Sequence, residues 1–207
     1  MTMMAMAREE RADFLALLTT LPPEQWDAPT LCSRWRVRDV VAHVVSYEEL
    51  GKRGLAARFV KGRFIPDRVN DVGVSEYNTR SPAELLELLG DHLEPRGLTA
   101  GFGGMIALVD GLIHQQDIRR PLGLPRDVPA ERLRRALKAA LVAPPIRAFW
   151  RARGLRLVAT DLGWSTGSGP EVRGPGESLL MAIAGRRVAV DELTGPGQVT
   201  LAARIAR

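Results

Sequence analysis

His43 and His114 each follow an aspartate by four residues. Asp39 precedes His43 in Trp35-Arg36-Val37-Arg38-Asp39-Val40-Val41-Ala42-His43, and Asp110 precedes His114 in Asp110-Gly111-Leu112-Ile113-His114-Gln115-Gln116-Asp117. On a helix that spacing puts both side chains on one face. Two such helices facing each other would present two imidazoles and a carboxylate to one divalent cation. Nothing else in the chain reads as catalytic apparatus. Ser165 and Ser168 lack a partner histidine and the turn of a nucleophile elbow. Gly101-x-Gly103-Gly104 follows no strand and lacks the full dinucleotide fingerprint.

At about 100° per residue, with Asp110 as origin, His114 falls about 40° to one side and Asp117 about 20° to the other. Phe102, Ile106, Val109 and Ile113 flank this triplet on one side, and Ala107 and Ile118 on the other. The charges thus sit inside an apolar arc, whereas a solvated face would lie opposite it. Ionised carboxylates there are costly unless they are paired or bind a cation. Two readings follow: a metal site completed by His43, or a histidine–aspartate network that satisfies itself. In the first, two imidazoles and a carboxylate leave positions open for water or substrate, as in catalytic zinc sites. Such a site suits Lewis-acid chemistry, or lowering the pKa of a bound thiol or water. Asp39 and Asp117 are then candidates to orient an imidazole from behind, although Asp39 also suits the positive end of a helix.

Arg119 and Arg120 close the same segment. They complement helix-end carbonyls or, in the sharper reading, clamp the anion of an acidic substrate. His92 near a helix C-terminus reads as structural. Cys32 reads as a small hydrophobe under a loop, with a reactive thiol as the alternative.

The elements that must position these residues are mostly helical. Phe14, Leu15, Leu17, Leu18 and Leu21 give residues 5–21 an apolar face, and Pro22-Pro23 ends it. A second helix is expected over about 36–60, then a long irregular connection over 61–80 marked by Gly62, Pro66, Asn70, Gly73 and Asn78. Ser81-Pro82-Ala83-Glu84 is a capping box that opens a helix to about Leu93. Further helices are expected over about 103–120 and 129–142. After Pro144-Pro145 the pattern changes: strands near 154–161 and 171–174, a helix over 176–184, and a last strand over 198–205. The expected fold class is mostly α, a four-helix bundle (residues 1–150) followed by a small α/β domain (151–207).

The chain has 207 residues, enough for one full core plus a small second unit. No apolar run approaches the roughly 18–20 residues of a membrane span. Arg8, Glu9, Glu10, Arg11 and Asp13 interrupt the start, unlike a signal peptide, so a cytoplasmic protein is expected. The single cysteine fits a reducing compartment. The net charge of +5 comes from scattered arginines, with Lys52, Lys61 and Lys138 the only lysines. No basic cluster is interleaved with aromatics, so neither a nucleic-acid nor a membrane partner is expected.

At Pro29-Thr30-Leu31-Cys32-Ser33-Arg34-Trp35 through His43, and at Asp110 through Gly123, the chain resembles the mycothiol-dependent maleylpyruvate isomerase family of the DinB-like superfamily. The tail segments Leu155–Asp161, Gly174–Glu177 and Asp191–Gly195 resemble the family's C-terminal domain. The resemblance implies a DinB-like four-helix bundle with a divalent metal, usually zinc, followed by a sterol-carrier-like α/β domain. It implies mycothiol as thiol cofactor. It also implies His43, Asp110 and His114 at the family's histidine, glutamate and histidine ligand positions, with Asp110 one methylene shorter than the family's glutamate. The expected function is a metal-dependent isomerase or thiol S-transferase acting on a small electrophilic or acidic substrate. The alternative is a non-catalytic protein that binds or senses a small molecule on the same bundle.

Overall fold

The computed structural model describes residues 1–205. They divide into two compact units, Met1–Pro125 and Arg126–Arg207. The division falls earlier than the boundary anticipated at residue 150. The reason lies in the helix Ala130–Val142, whose buried Leu133, Ala136, Leu137 and Ala140 belong to the second unit's core.

The first unit begins with α1 (Met3–Thr20), capped by Thr2, whose hydroxyl accepts from the Ala5 amide at 3.1 Å. Then come α2 (Val37–Val45), α3 (Lys52–Lys61), α4 (Pro66–Tyr77), α5 (Pro82–Asp91) and α6 (Gly101–Arg119). Four of these close a ring: α1 packs on α5 and α6, and α2 packs on the same two. Phe14, Leu18, Val40, Val44, Leu85, Leu89 and Ile118 fill one cluster of its core. Each such side chain contributes on the order of 1.5–3 kcal/mol when fully buried. Ser81 and Glu84 form the expected capping box at the start of α5, the Ser81 amide donating to Glu84 Oε2 at 2.7 Å.

The close contact of α1 with α6 depends on Gly111. A Cβ there would sit 3.0 Å from Glu10 Cγ. Further along the interface, Gln115 Nε2 donates to Glu10 Oε1 at 2.6 Å and satisfies a fully buried carboxylate. At the head of α6, Phe102, Gly103 and Gly104 adopt left-handed backbone, so the regular helix starts after them.

Two expectations for this unit are corrected. The helix expected over 36–60 is two helices, α2 and α3, separated by residues 46–51. The stretch 61–80 is not an irregular connection but mostly α4, opened by Pro66 at its first turn. Gly73 suggests a breaker in sequence, yet it is a contact point. A Cβ there would lie 2.7 Å from Ser46 Oγ and 2.9 Å from the Arg58 guanidinium.

The second unit contains α7 (Ala130–Val142), α8 (Ala148–Ala152), β1 (Arg156–Ala159), β2 (Trp164–Thr166), β3 (Glu171–Gly174), α9 (Gly176–Ile183) and α10 (Gln198–Ile205). The sheet order is β2-β1-β3, with β2 antiparallel and β3 parallel to β1, and Leu157 opposite both Thr166 and Val172. The almost wholly buried α9 packs against α7. Residues 198–205, expected as a strand, form α10. Its only fully buried apolar residue, Leu201, faces the core, and Val199 is exposed, which the alternating reading did not distinguish from a one-sided helix. The mostly helical class, with a bundle and then a small α/β unit, stands as expected. Among the described residues no helix is long and apolar enough to cross a membrane.

Candidate metal centre

The packing of α2 on α6 brings His43 against Asp110 and His114. His43 Nε2 lies 3.3 Å from Asp110 Oδ1, and His114 Nε2 lies 3.4 Å from the same oxygen. The two imidazole centroids are 4.9 Å apart and nearly perpendicular. All three donor atoms lie within 4.8 Å of one another. Both histidines are buried, while Asp110 keeps 27% of its side chain exposed and gives the cluster its access.

Asp117 lies behind His114. It is fully buried and its Oδ2 is 2.9 Å from His114 Nδ1. That contact orients the ring, and it keeps the proton of a neutral imidazole on Nδ1, donated to Asp117. Cys32 joins from the loop before α2, its thiol donating to the same Oδ2 at 3.1 Å, with Sγ 3.9 Å from His114 Nδ1. The loop is tied to α6 by the Leu31 amide, which donates to the Asp117 carbonyl at 3.0 Å. Cys32 is therefore more than packing under a loop. Cys32, His114 and Asp117 form a second group of clustered donor atoms.

His43 is held in another way. Trp35 lies against it with ring centroids 4.9 Å apart, and Tyr47 meets its edge at 6.0 Å. Its buried Nδ1 has no hydrogen-bond partner among the described residues. Burial pushes the Tyr47 phenol up to about 12, and the nearby Asp110 charge works in the same direction against Arg58. The Tyr47 hydroxyl is a neutral donor to Asn70 Oδ1 at 2.7 Å.

Asp39, the other candidate for orienting an imidazole, is used elsewhere. It caps its own helix by accepting from the Arg36 amide at 2.9 Å, and it also takes the Arg36 Nε and the Asn78 amide. Burial pushes its carboxyl up, but these bonds outweigh burial and hold it below the usual range. Arg119 Nε donates to Gln115 Oε1 at 3.2 Å, which places it with the Gln115–Glu10 contact rather than with the imidazoles. Arg120 is the C-cap of α6. His92 caps α5 and its carbonyl accepts from buried Arg11 at 2.6 Å, a structural part. Trp35, Tyr47 and Cys32 are the members that the spacing of charged residues did not indicate. Their only sequence signal is proximity to the α2 histidine.

Burial disfavours charge at both Asp110 and His114. For Asp110 the two imidazole charges and their hydrogen bonds overcome it and hold the carboxyl far below the usual range. For His114 the Asp110 charge, with hydrogen bonds to Asp110, Asp117 and Cys32, raises it well above the ordinary imidazole value. The carboxylate and the His114 imidazole thus each favour the other's charged form.

Fold and site together define a helical bundle with a histidine–carboxylate cluster between two of its helices. Residues 7–97 match the family described as the mycothiol maleylpyruvate isomerase N-terminal domain. A crystal structure of the mycothiol-dependent maleylpyruvate isomerase is similar with a TM-score of 0.55 at 13% identity, covering 95% of this chain and 92% of that one. A histidine-to-alanine mutant of the mycothiol-dependent maleylpyruvate isomerase is similar with a TM-score of 0.63 at 15% identity and the same coverage. At these identities the structural likeness concerns the fold. A search of curated proteins found no match.

Proposed function

We propose that His43, Asp110 and His114 hold a divalent cation, with zinc the best fit. The chain then acts as a metal-dependent isomerase or thiol S-transferase, with a mycothiol-like low-molecular-weight thiol as cofactor or co-substrate. The observation that carries this reading is the meeting of two imidazole nitrogens and a carboxylate oxygen within 4.8 Å across two helices. That donor mix suits zinc, and three protein ligands leave a position for an exogenous group. A cation there supplies the charge that keeps a thiol deprotonated near neutral pH. The family match over residues 7–97 supports the thiol, since it and the similar solved structures are of mycothiol-dependent maleylpyruvate isomerase.

The chain's own residues prepare the site. Asp117 accepts a hydrogen bond from the Nδ1–H of His114, which leaves Nε2 as the lone-pair atom facing Asp110. Trp35 and Tyr47 fix the His43 ring by packing and keep water from its faces. Asp110 offers a full negative charge, and its partial exposure marks the side from which a small molecule reaches the cluster. The substrate is a small electrophilic or acidic molecule. The reading includes no nucleic-acid or membrane partner, and it has the reaction in the cytoplasm, where a single cysteine stays reduced.

The test is metal content after purification, in the wild type and in His43→Ala and His114→Ala. About one zinc per chain is expected, falling to a small fraction in either variant. Unchanged content in both removes the reading. Turnover of a model electrophile should require added mycothiol. Binding without turnover would support the non-catalytic alternative instead.

A further inference from the structure

His114 has two ring nitrogens, and each faces its own donor set. Nε2 faces Asp110 and His43, while Nδ1 faces Asp117 and Cys32. We infer that Cys32, His114 and Asp117 form a second cation site, selective for thiophilic cations, whose occupation excludes a cation from the His43–Asp110–His114 set.

The size of the donor triangle is the first argument. Cys32 Sγ, His114 Nδ1 and Asp117 Oδ2 are separated by 3.9, 3.1 and 2.9 Å. Metal–ligand bonds of about 2.0–2.3 Å at tetrahedral angles need donors about 3.3–3.5 Å apart, so shifts of roughly half an ångström suffice. Rigidity is the second. The Leu31 amide is bonded to the Asp117 carbonyl, and the Cys32 amide to Thr30 Oγ1 at 3.1 Å, so the thiol is held at α6 before any ligand arrives. Access is the third, because Cys32 also lines an open cavity of about 270 Å³ with Arg34, Trp35 and Arg36. A sulfur donor beside nitrogen and oxygen selects softer cations than the His43 set does.

Exclusion follows from proton counting on one imidazole. A cation at Nε2 requires the ring proton on Nδ1, where Asp117 accepts it. A cation at Nδ1 displaces that proton. The neutral ring then carries its single proton on Nε2, donated to Asp110, and Nε2 has no lone pair left to bind metal. Cys32 gives its thiol proton to solvent in the same step. Occupying both sites would require a doubly deprotonated imidazolate. A thiophilic cation at Cys32 therefore blocks loading of the neighbouring site. This exclusion rests on the proposed role of the His43 set, whereas the existence of the sulfur site does not.

Cadmium titration of the metal-free chain tests both parts. Cys32 is the only cysteine, so any thiolate-to-cadmium charge-transfer absorption comes from it. The band is expected in the wild type and in His43→Ala. It is expected to vanish in Cys32→Ser, which keeps cadmium bound through the His43 set by equilibrium dialysis. Circular dichroism confirms that each variant is folded. Absence of the band in both wild type and His43→Ala at saturating cadmium overturns the sulfur site and leaves the His43 reading standing. A wild type that binds one zinc and one cadmium together, with the band present, overturns the exclusion. Loss of zinc binding in Cys32→Ser would make the thiol a ligand of the first site, and would overturn the proposal of two sites.

Discussion

The two histidines of the centre are supported in opposite ways. His114 on α6 has a charged group on each ring nitrogen, Asp110 at 3.4 Å and Asp117 at 2.9 Å. Among the described residues His43 on α2 has a polar partner on one nitrogen only, and its ring is held by Trp35 and Tyr47. One ring is oriented by electrostatics and the other by shape. The aspartates four residues before them look equivalent in sequence, yet only Asp110 reaches the imidazoles, while Asp39 is a helix cap. Spacing along a helix says which residues share a face. It does not say which neighbour that face meets.

The largest expected break in this comparison is Asp117→Asn. Removing the charge behind His114 should lower zinc affinity by about 10–100-fold, as loss of a ligand-orienting carboxylate does elsewhere. Competition with a chromophoric chelator measures it. An unchanged affinity would mean that Asp117 serves only to hold Cys32 and the loop.

A pH titration sharpens the same contrast. Burial opposes charge on His114, but the Asp110 charge and the ring's hydrogen bonds to Asp110, Asp117 and Cys32 raise its value well above the ordinary one. A cation at Nε2 must displace that proton, so zinc uptake near neutral pH should release about one proton from His114, and affinity should fall up to about tenfold per unit as the pH is lowered. Calorimetry in buffers of different ionisation enthalpy counts the proton. The metal-free fold carries the opposite linkage. A raised imidazole value stabilises the fold fully below the unfolded value and loses that contribution as the pH rises through the folded one.

Trp35→Ala tests the shape-held ring. It removes the wall against His43 without removing a ligand, so zinc affinity should fall by less than in Asp117→Asn, with the ring left free to turn. A loss as large as that of His43→Ala would show that packing alone sets the geometry of this ligand.

Much of this centre was legible in the sequence because α6 is regular where it matters. The apolar arc around Asp110, His114 and Asp117 correctly implied a buried charged face, and His43 sits on the helix that packs there. Cys32 was not legible as a member, since 82 residues separate it from His114 and the bond between them is made by a loop. The fold divides similarly. The capping box at Ser81 and the proline stops located α1 and α5, whereas α4 and α10 were misread. Gly73 marks a tight helix contact rather than a break, and α10 shows the core only one fully buried side chain.

The smallest expected effect is the most discriminating one for the two aspartates. Asp39→Asn removes a cap whose carboxylate accepts from the Arg36 amide and guanidinium and from Asn78. Loss of such a cap costs on the order of 1 kcal/mol, read as a lower denaturation midpoint. Its carboxyl is held below the usual range by those bonds, so the contribution is present above the unfolded value and disappears as the pH falls through the folded one. The stability difference between variant and wild type should therefore shrink in acid. Zinc affinity should stay at the wild-type level, because Asp39 contacts neither imidazole. A fall in affinity comparable to that of Asp117→Asn would make Asp39 a working support of His43, and the asymmetry between the two histidines would disappear.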